Sequence, residues 1–60
     1  MSIRILLAGD QKALRDILVD LIGRQPGMDV VGEAQNGSQA IDLVQRLTPD
    51  VVVMDINMPF

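Results

Sequence analysis

Cysteine, histidine, tryptophan and tyrosine are absent from this chain, and phenylalanine occurs once, at Phe60. Without cysteine there is no disulfide framework and no thiolate metal site. Without histidine, a His-dependent triad and a zinc centre of ordinary type are excluded as well. Cations are also scarce. Five Lys and Arg stand against eight Asp and Glu, a formal net charge of −3 at pH 7. Phosphate contacts need clustered positive charge, so no direct nucleic-acid binding by this segment is expected. Lys12, Arg15 and Arg24 share one stretch, but Asp16 and Asp20 are interleaved with them, a pattern that reads as a solvated helix face. No apolar run approaches the ~20 residues that span a bilayer, and no signal-peptide pattern opens the chain. The expectation is therefore a cytoplasmic protein with no membrane contact. What remains for chemistry is carboxylates, hydroxyls, amides, backbone groups and five cationic side chains, in a chain of 60 residues that holds one small domain at most.

Two hydrophobic rhythms alternate along the chain. Ile3, Ile5, Leu6, Leu7 and Ala8 form a nearly continuous apolar run, broken only by Arg4, which suits a strand covered on both faces. After Gly9-Asp10, apolar residues recur at Leu14, Ile17, Leu18, Leu21 and Ile22, the spacing of one helical stripe. Asp10 is of a residue type that caps such a helix, while Gly23 and Pro26-Gly27 mark its end. Met28, Val30, Val31 and Ala34 give a second strand, with Asp29 and Glu33 pointing to partial exposure. Asn36-Gly37 is a turn signal and Ser38 a candidate N-cap. Ala40, Ile41, Val44 and Leu47 then lie on one face of a helix that Thr48-Pro49 terminates. Val51, Val52, Val53 and Met54 make the most hydrophobic strand, which ends at Asp55. The predicted strands fall at about 3–8, 28–34 and 50–55, and the helices at about 11–24 and 38–47.

The order β-α-β-α-β, with short connections, calls for parallel pairing in an α/β fold. Right-handed crossovers place the two helices on opposite faces when the strand order is 2-1-3. In an open parallel sheet, ligands bind beyond the carboxyl ends of the strands where the order reverses, here between the first and third strands. Asp10 and Asp55 follow those two ends. Neighbouring strands lie about 4.8 Å apart, so two carboxylates can face each other across a shallow crevice. Such oxygens suit a hard divalent cation, and Mg²⁺ typically takes one or two carboxylates and keeps several waters. A lone Asp at a strand end also serves as a turn former or helix cap, and Asp10 has that second reading open to it.

Three stretches carry a specific resemblance: IRILLAGDQKALRDIL from Ile3 to Leu18, MDVVGEAQNGSQAIDL from Met28 to Leu43, and TPDVVVMDINMP from Thr48 to Pro59. The chain resembles the receiver domain of two-component response regulators, a truncated flavodoxin-like (CheY-like) unit of the kind found in NarL/FixJ-type transcription regulators. The apolar strand ending in Asp, followed by x-x-Met-Pro, is the most characteristic part. The resemblance implies that Asp55 accepts phosphate from the phosphohistidine of a sensor histidine kinase. It implies that Asp10 and Asp55 bind Mg²⁺ through their carboxylates, with Asn57 contributing its backbone carbonyl. No enzymatic activity of the segment's own is implied.

Two departures from the family pattern alter what is expected. Receivers normally carry two consecutive acidic residues after the first strand, whereas this chain has Gly9-Asp10. One carboxylate is missing from the pocket, so Mg²⁺ is expected to bind weakly. The sequence also stops at Phe60, while a complete receiver of this type continues to a fifth strand. The reading is therefore of an N-terminal half with impaired signalling. Its third strand, apolar and free of proline, then forms an edge suited to pairing with another chain. A homodimer is expected, joined through that edge or through apolar helix faces and closed by two-fold symmetry. The alternative is a truncated or engineered half-domain that self-associates without phosphotransfer. A nucleotide- or flavin-binding half-fold is disfavoured, since neither G-x-G-x-x-G nor a P-loop motif is present.

Overall fold

The computed structural model describes residues 2–54. Within them the elements follow the predicted order: β1 (Ile3–Ala8), α1 (Lys12–Gly23), β2 (Met28–Ala34), α2 (Gly37–Leu47) and β3 (Val51–Met54). The three strands form one sheet in the order β2-β1-β3, with both pairings parallel. The fold is thus a β-α-β-α-β unit, as expected from the alternation of periods.

Burial concentrates on the central strand. Ile5, Leu6, Leu7 and Ala8 are buried, and together with Ala34 and Ala40 they make up the apolar core among the described residues. Strand neighbours point to opposite faces, and the surroundings of β1 and β3 show which helix lies over which. Leu7 and Val53 share a pocket with Leu14 and Leu18 of α1, whereas Val52 shares another with Ile41 and Val44 of α2. The helices therefore cover opposite faces, and neither contacts the other.

Pairing of β1 with β2 shifts by one residue between Ile5 and Leu6, where Ile5 opposes Val30 and Leu6 opposes Gly32. The extra residue, Val31, makes this a β-bulge. It sets Gly32 under α2, where a Cβ would lie 2.8 Å from Leu47 Cδ1 and 3.2 Å from Leu6 Cδ1. Glycine here lets the end of α2 sit close to the sheet.

The helix ends differ from the predicted caps. Gln11, not Asp10, occupies the N-cap of α1, and no side chain caps that end. Ser38 lies inside α2, and Asn36 is its cap, accepting a bond from the Gln39 amide at 2.9 Å. Gln39 in turn accepts from the Gln35 amide at 2.8 Å. An Asn one residue before the first helical position reaches that amide, which Ser38 from within the turn cannot. Gly27 takes a positive φ of 80° in the turn after α1, as only glycine does readily. Thr48 ends α2 in the left-handed region at φ 44°. Asp50 precedes β3 instead of belonging to it, yet it exchanges bonds with Arg4 at 2.8 Å in each direction.

Both predicted apolar stripes are only partly covered. In α1, Leu18 and Ile22 are half-buried while Leu14, Ile17 and Leu21 are exposed. In α2, Ala40 is buried and Leu47 half-buried, but Ile41 is 60% exposed and Leu43 takes the inward place. All four residues of β3 are exposed, at 36–45%. Both helices sit closer to β1 and β2 than to β3, so both faces of β3 stay partly open.

Candidate functional site

The carboxyl ends of β1 and β3 lie at the same level of the sheet, because Ala8 is in register with Met54. Gly9 and Asp10 follow β1 there. Asp55 is the next residue after Met54 in the sequence. Asp55 and Asn57 lie outside the described residues, and so does the separation of Asp55 from Asp10.

Gly9 is buried and held at both of its backbone groups. Its amide donates to the Ala34 carbonyl at the end of β2, at 3.0 Å. Its carbonyl accepts from Nη1 of Arg15 at 2.6 Å. Asp10 follows directly and is exposed. Its carboxylate has no hydrogen-bond or ion-pair partner among the described residues. A free, solvated carboxylate at a strand end is compatible with a hard cation that keeps most of its waters. Among the described residues no group of three or more acidic side chains could hold a metal alone. A Mg²⁺ site at this position therefore needs donors beyond Asp10.

The charge pattern did not mark Arg15 as part of this region. Lys12 and Arg24 behave as expected of a solvated face, pairing with Asp16 at 2.9 Å and Asp20 at 3.0 Å in exposed i, i+4 contacts. Such pairs contribute little, about 0.3–0.5 kcal/mol each. Arg15 instead is 7% exposed, the one buried charged residue among those described. Besides its bond to Gly9, its Nε lies 3.4 Å from Oε1 of Glu33 on β2. That approach lacks hydrogen-bond geometry, and Nε is otherwise unpartnered. The missed signal was positional: Arg15, Leu18 and Ile22 are spaced by three and four, so Arg15 belongs to the stripe that meets the sheet.

Beside the Gly9 backbone, α1 and the β1–β3 edge enclose a shallow, mainly apolar pocket of about 250 Å³, with Leu7, Gly9, Gln11, Arg15 and Val53 in its lining. No helix among the described residues is long and apolar enough to cross a membrane.

The family model for the response regulator receiver domain matches residues 5–60. Among curated proteins, the chain is 47% identical over 57 residues to a protein-glutamate methylesterase/protein-glutamine glutaminase of Myxococcus xanthus, covering 95% of this chain and 16% of that protein. It is 44% identical over 58 residues to the corresponding protein of Pyrococcus abyssi, covering 97% of this chain and again 16% of the relative. The chain thus spans about a sixth of the curated relatives it matches. Among solved structures, the response regulator domain of Thermotoga maritima CheB superposes with a TM-score of 0.94 at 44% identity, covering 98% of this chain and 44% of that one. A two-component response regulator of the LuxR family from Aurantimonas sp. SI85-9A1 gives 0.92 at 41% identity, covering 98% and 42%. Likeness is nearly equal to the two, so it does not single out the NarL/FixJ type among receivers.

Proposed function

The chain belongs to the response regulator receiver domain family, and on that premise we propose that Asp55 is its phosphoryl acceptor, served by a sensor histidine kinase. The observation that carries this reading is the register of Ala8 with Met54. It sets the ends of β1 and β3, the strands that Asp10 and Asp55 follow in the sequence, at one level of the sheet, and open parallel sheets bind ligands at such ends.

The reaction needs little from the protein beyond placement and charge. A carboxylate oxygen of Asp55 attacks phosphorus, the phosphorus–nitrogen bond of the donor phosphohistidine breaks, and the imidazole leaves with the electron pair. The product is an acyl phosphate on Asp55. A Mg²⁺ ion would be held by the carboxylates of Asp10 and Asp55 and the backbone carbonyl of Asn57, and when bound it supplies neutralisation of charge on the transferring group. Asp10, exposed and unpaired among the described residues, has oxygens free for that duty. Gly9 stands where a second acid would raise the charge of the pocket, so binding is expected to be weak.

Acetyl phosphate tests the reading without a kinase. Incubation with it and Mg²⁺ is expected to give a single phosphoryl adduct by intact mass, with acetate released. No adduct at saturating Mg²⁺ would refute the acceptor role.

A second reading is favoured by the exposure of all four β3 residues. In this reading the 60-residue chain pairs with a second copy along β3, the two strands running antiparallel about a dyad. Sedimentation equilibrium is expected to show a dimer. A monomer that persists at high concentration contradicts it.

A further inference from the structure

We infer that Arg15 is a positioning residue for the acidic site, holding the Gly9 carbonyl so that the chain leaves β1 in the direction that presents Asp10 to a cation. This inference rests on the phospho-acceptor reading above. Asp10 has no side-chain partner among the described residues that would orient it. Its placement is therefore a property of the backbone before it. That backbone is fixed at Gly9, by the amide bond to Ala34 at 3.0 Å and by the Arg15 bond to the carbonyl at 2.6 Å. The first of these continues the β1–β2 ladder. The second has no equivalent in the sheet and comes from the one buried charged side chain described.

A staple that only fastened α1 to the sheet would need no contact with Gly9. The approach of Nε to Glu33, at 3.4 Å, already links α1 to β2. Yet the short, charge-assisted bond goes to the carbonyl next to Asp10, and the Glu33 approach is the longer one without hydrogen-bond geometry. Charge-assisted bonds of this length are the stronger kind, and groups that orient a metal ligand without touching the metal commonly set its affinity.

The two roles separate by Mg²⁺ titration calorimetry on the purified chain, with circular dichroism to establish folding. Arg15→Met keeps the apolar stem and removes the donor. It is expected to weaken Mg²⁺ binding by about tenfold or more. Glu33→Gln leaves the Gly9 contact in place and is expected to bind Mg²⁺ within about twofold of the unmodified chain, since Glu33 is itself exposed and its approach to Arg15 lacks hydrogen-bond geometry. If Arg15→Met does not fold, Arg15→Lys is read instead. A single ammonium cannot serve both sites and goes to the carboxylate, so a folded Arg15→Lys chain is expected to lose affinity several-fold. Unchanged affinity in a folded Arg15→Met or Arg15→Lys chain would overturn the inference, as would an equal loss in Glu33→Gln. Absence of Mg²⁺ binding by the unmodified, folded chain would overturn the phospho-acceptor reading itself, before any variant is compared.

Discussion

Replacing Asp55 with Asn is expected to abolish the phosphoryl adduct formed from acetyl phosphate, whereas Asp10→Asn is expected only to slow its formation. The difference follows from the two roles. The side-chain amide introduced by Asp55→Asn is nearly isosteric with a carboxylate, but its nitrogen lone pair is delocalised. The nucleophile is gone while the shape stays. Asp10→Asn keeps an oxygen donor and loses one charge. Weaker cation binding then lowers the rate at limiting Mg²⁺, by about tenfold for a loss of about 1.4 kcal/mol, and excess Mg²⁺ restores it. Time courses of intact mass at two Mg²⁺ concentrations separate these outcomes. Equal adduct in the Asp55→Asn chain would remove Asp55 from the mechanism. Total, Mg²⁺-independent loss in Asp10→Asn would show that Asp10 does more than hold a cation.

Leu6→Ala is expected to leave the chain unfolded at 25 °C. Leu6 is fully buried in the middle of the central strand, one of three large side chains in the described core with almost no exposure. Its Cδ1 converges on the space above Gly32 together with the Cδ1 methyls of Leu43 and Leu47 of α2. Truncating such a leucine costs about 2–5 kcal/mol, the removed apolar area plus the cavity left behind. A single core in a chain this short rarely supplies more than about 3–5 kcal/mol in total. One substitution therefore takes most of what there is. Ile17→Ala serves as the contrast: at 56% exposure it is expected to change stability by less than about 0.5 kcal/mol. Urea titration by circular dichroism reads both. A Leu6→Ala chain with an unchanged midpoint would contradict the assignment of the core to β1.

The architecture was readable because each element carries its own period. The continuous apolar runs of Ile5 to Ala8 and Val51 to Met54 have no helical phase and call for cover on both faces. Right-handed crossovers put the helices on opposite faces in the order 2-1-3, which is the order found. What the sequence concealed lies in the helices. Their apolar residues cover more than the part of the surface the sheet meets, so a stripe drawn through Leu14, Ile17 and Leu21 is as periodic as one through Arg15, Leu18 and Ile22. Only contact with the sheet decides between them. Arg15 was hidden further by its neighbours, because Lys12 with Asp16 and Arg24 with Asp20 make a convincing polar face of their own. Ile41 and Leu43 exchanged places because the apolar surface of α2 is likewise wider than its contact with the sheet. The caps at Asp10 and Ser38 failed more locally: both residues are of capping type, but neither stands at the position from which a side chain reaches a free first-turn amide. For the candidate site, the sequence indicated Asp10 and the sheet edge, and it missed the guanidinium that holds the backbone between them.

The most direct measurement is the position of the acyl phosphate. The adduct formed with acetyl phosphate can be reduced by borohydride, which converts a phosphorylated aspartate to homoserine, and the altered residue located by peptide sequencing. Homoserine is expected at residue 55 alone. Homoserine at residue 10 or 50, with Asp55 unaltered, would contradict it.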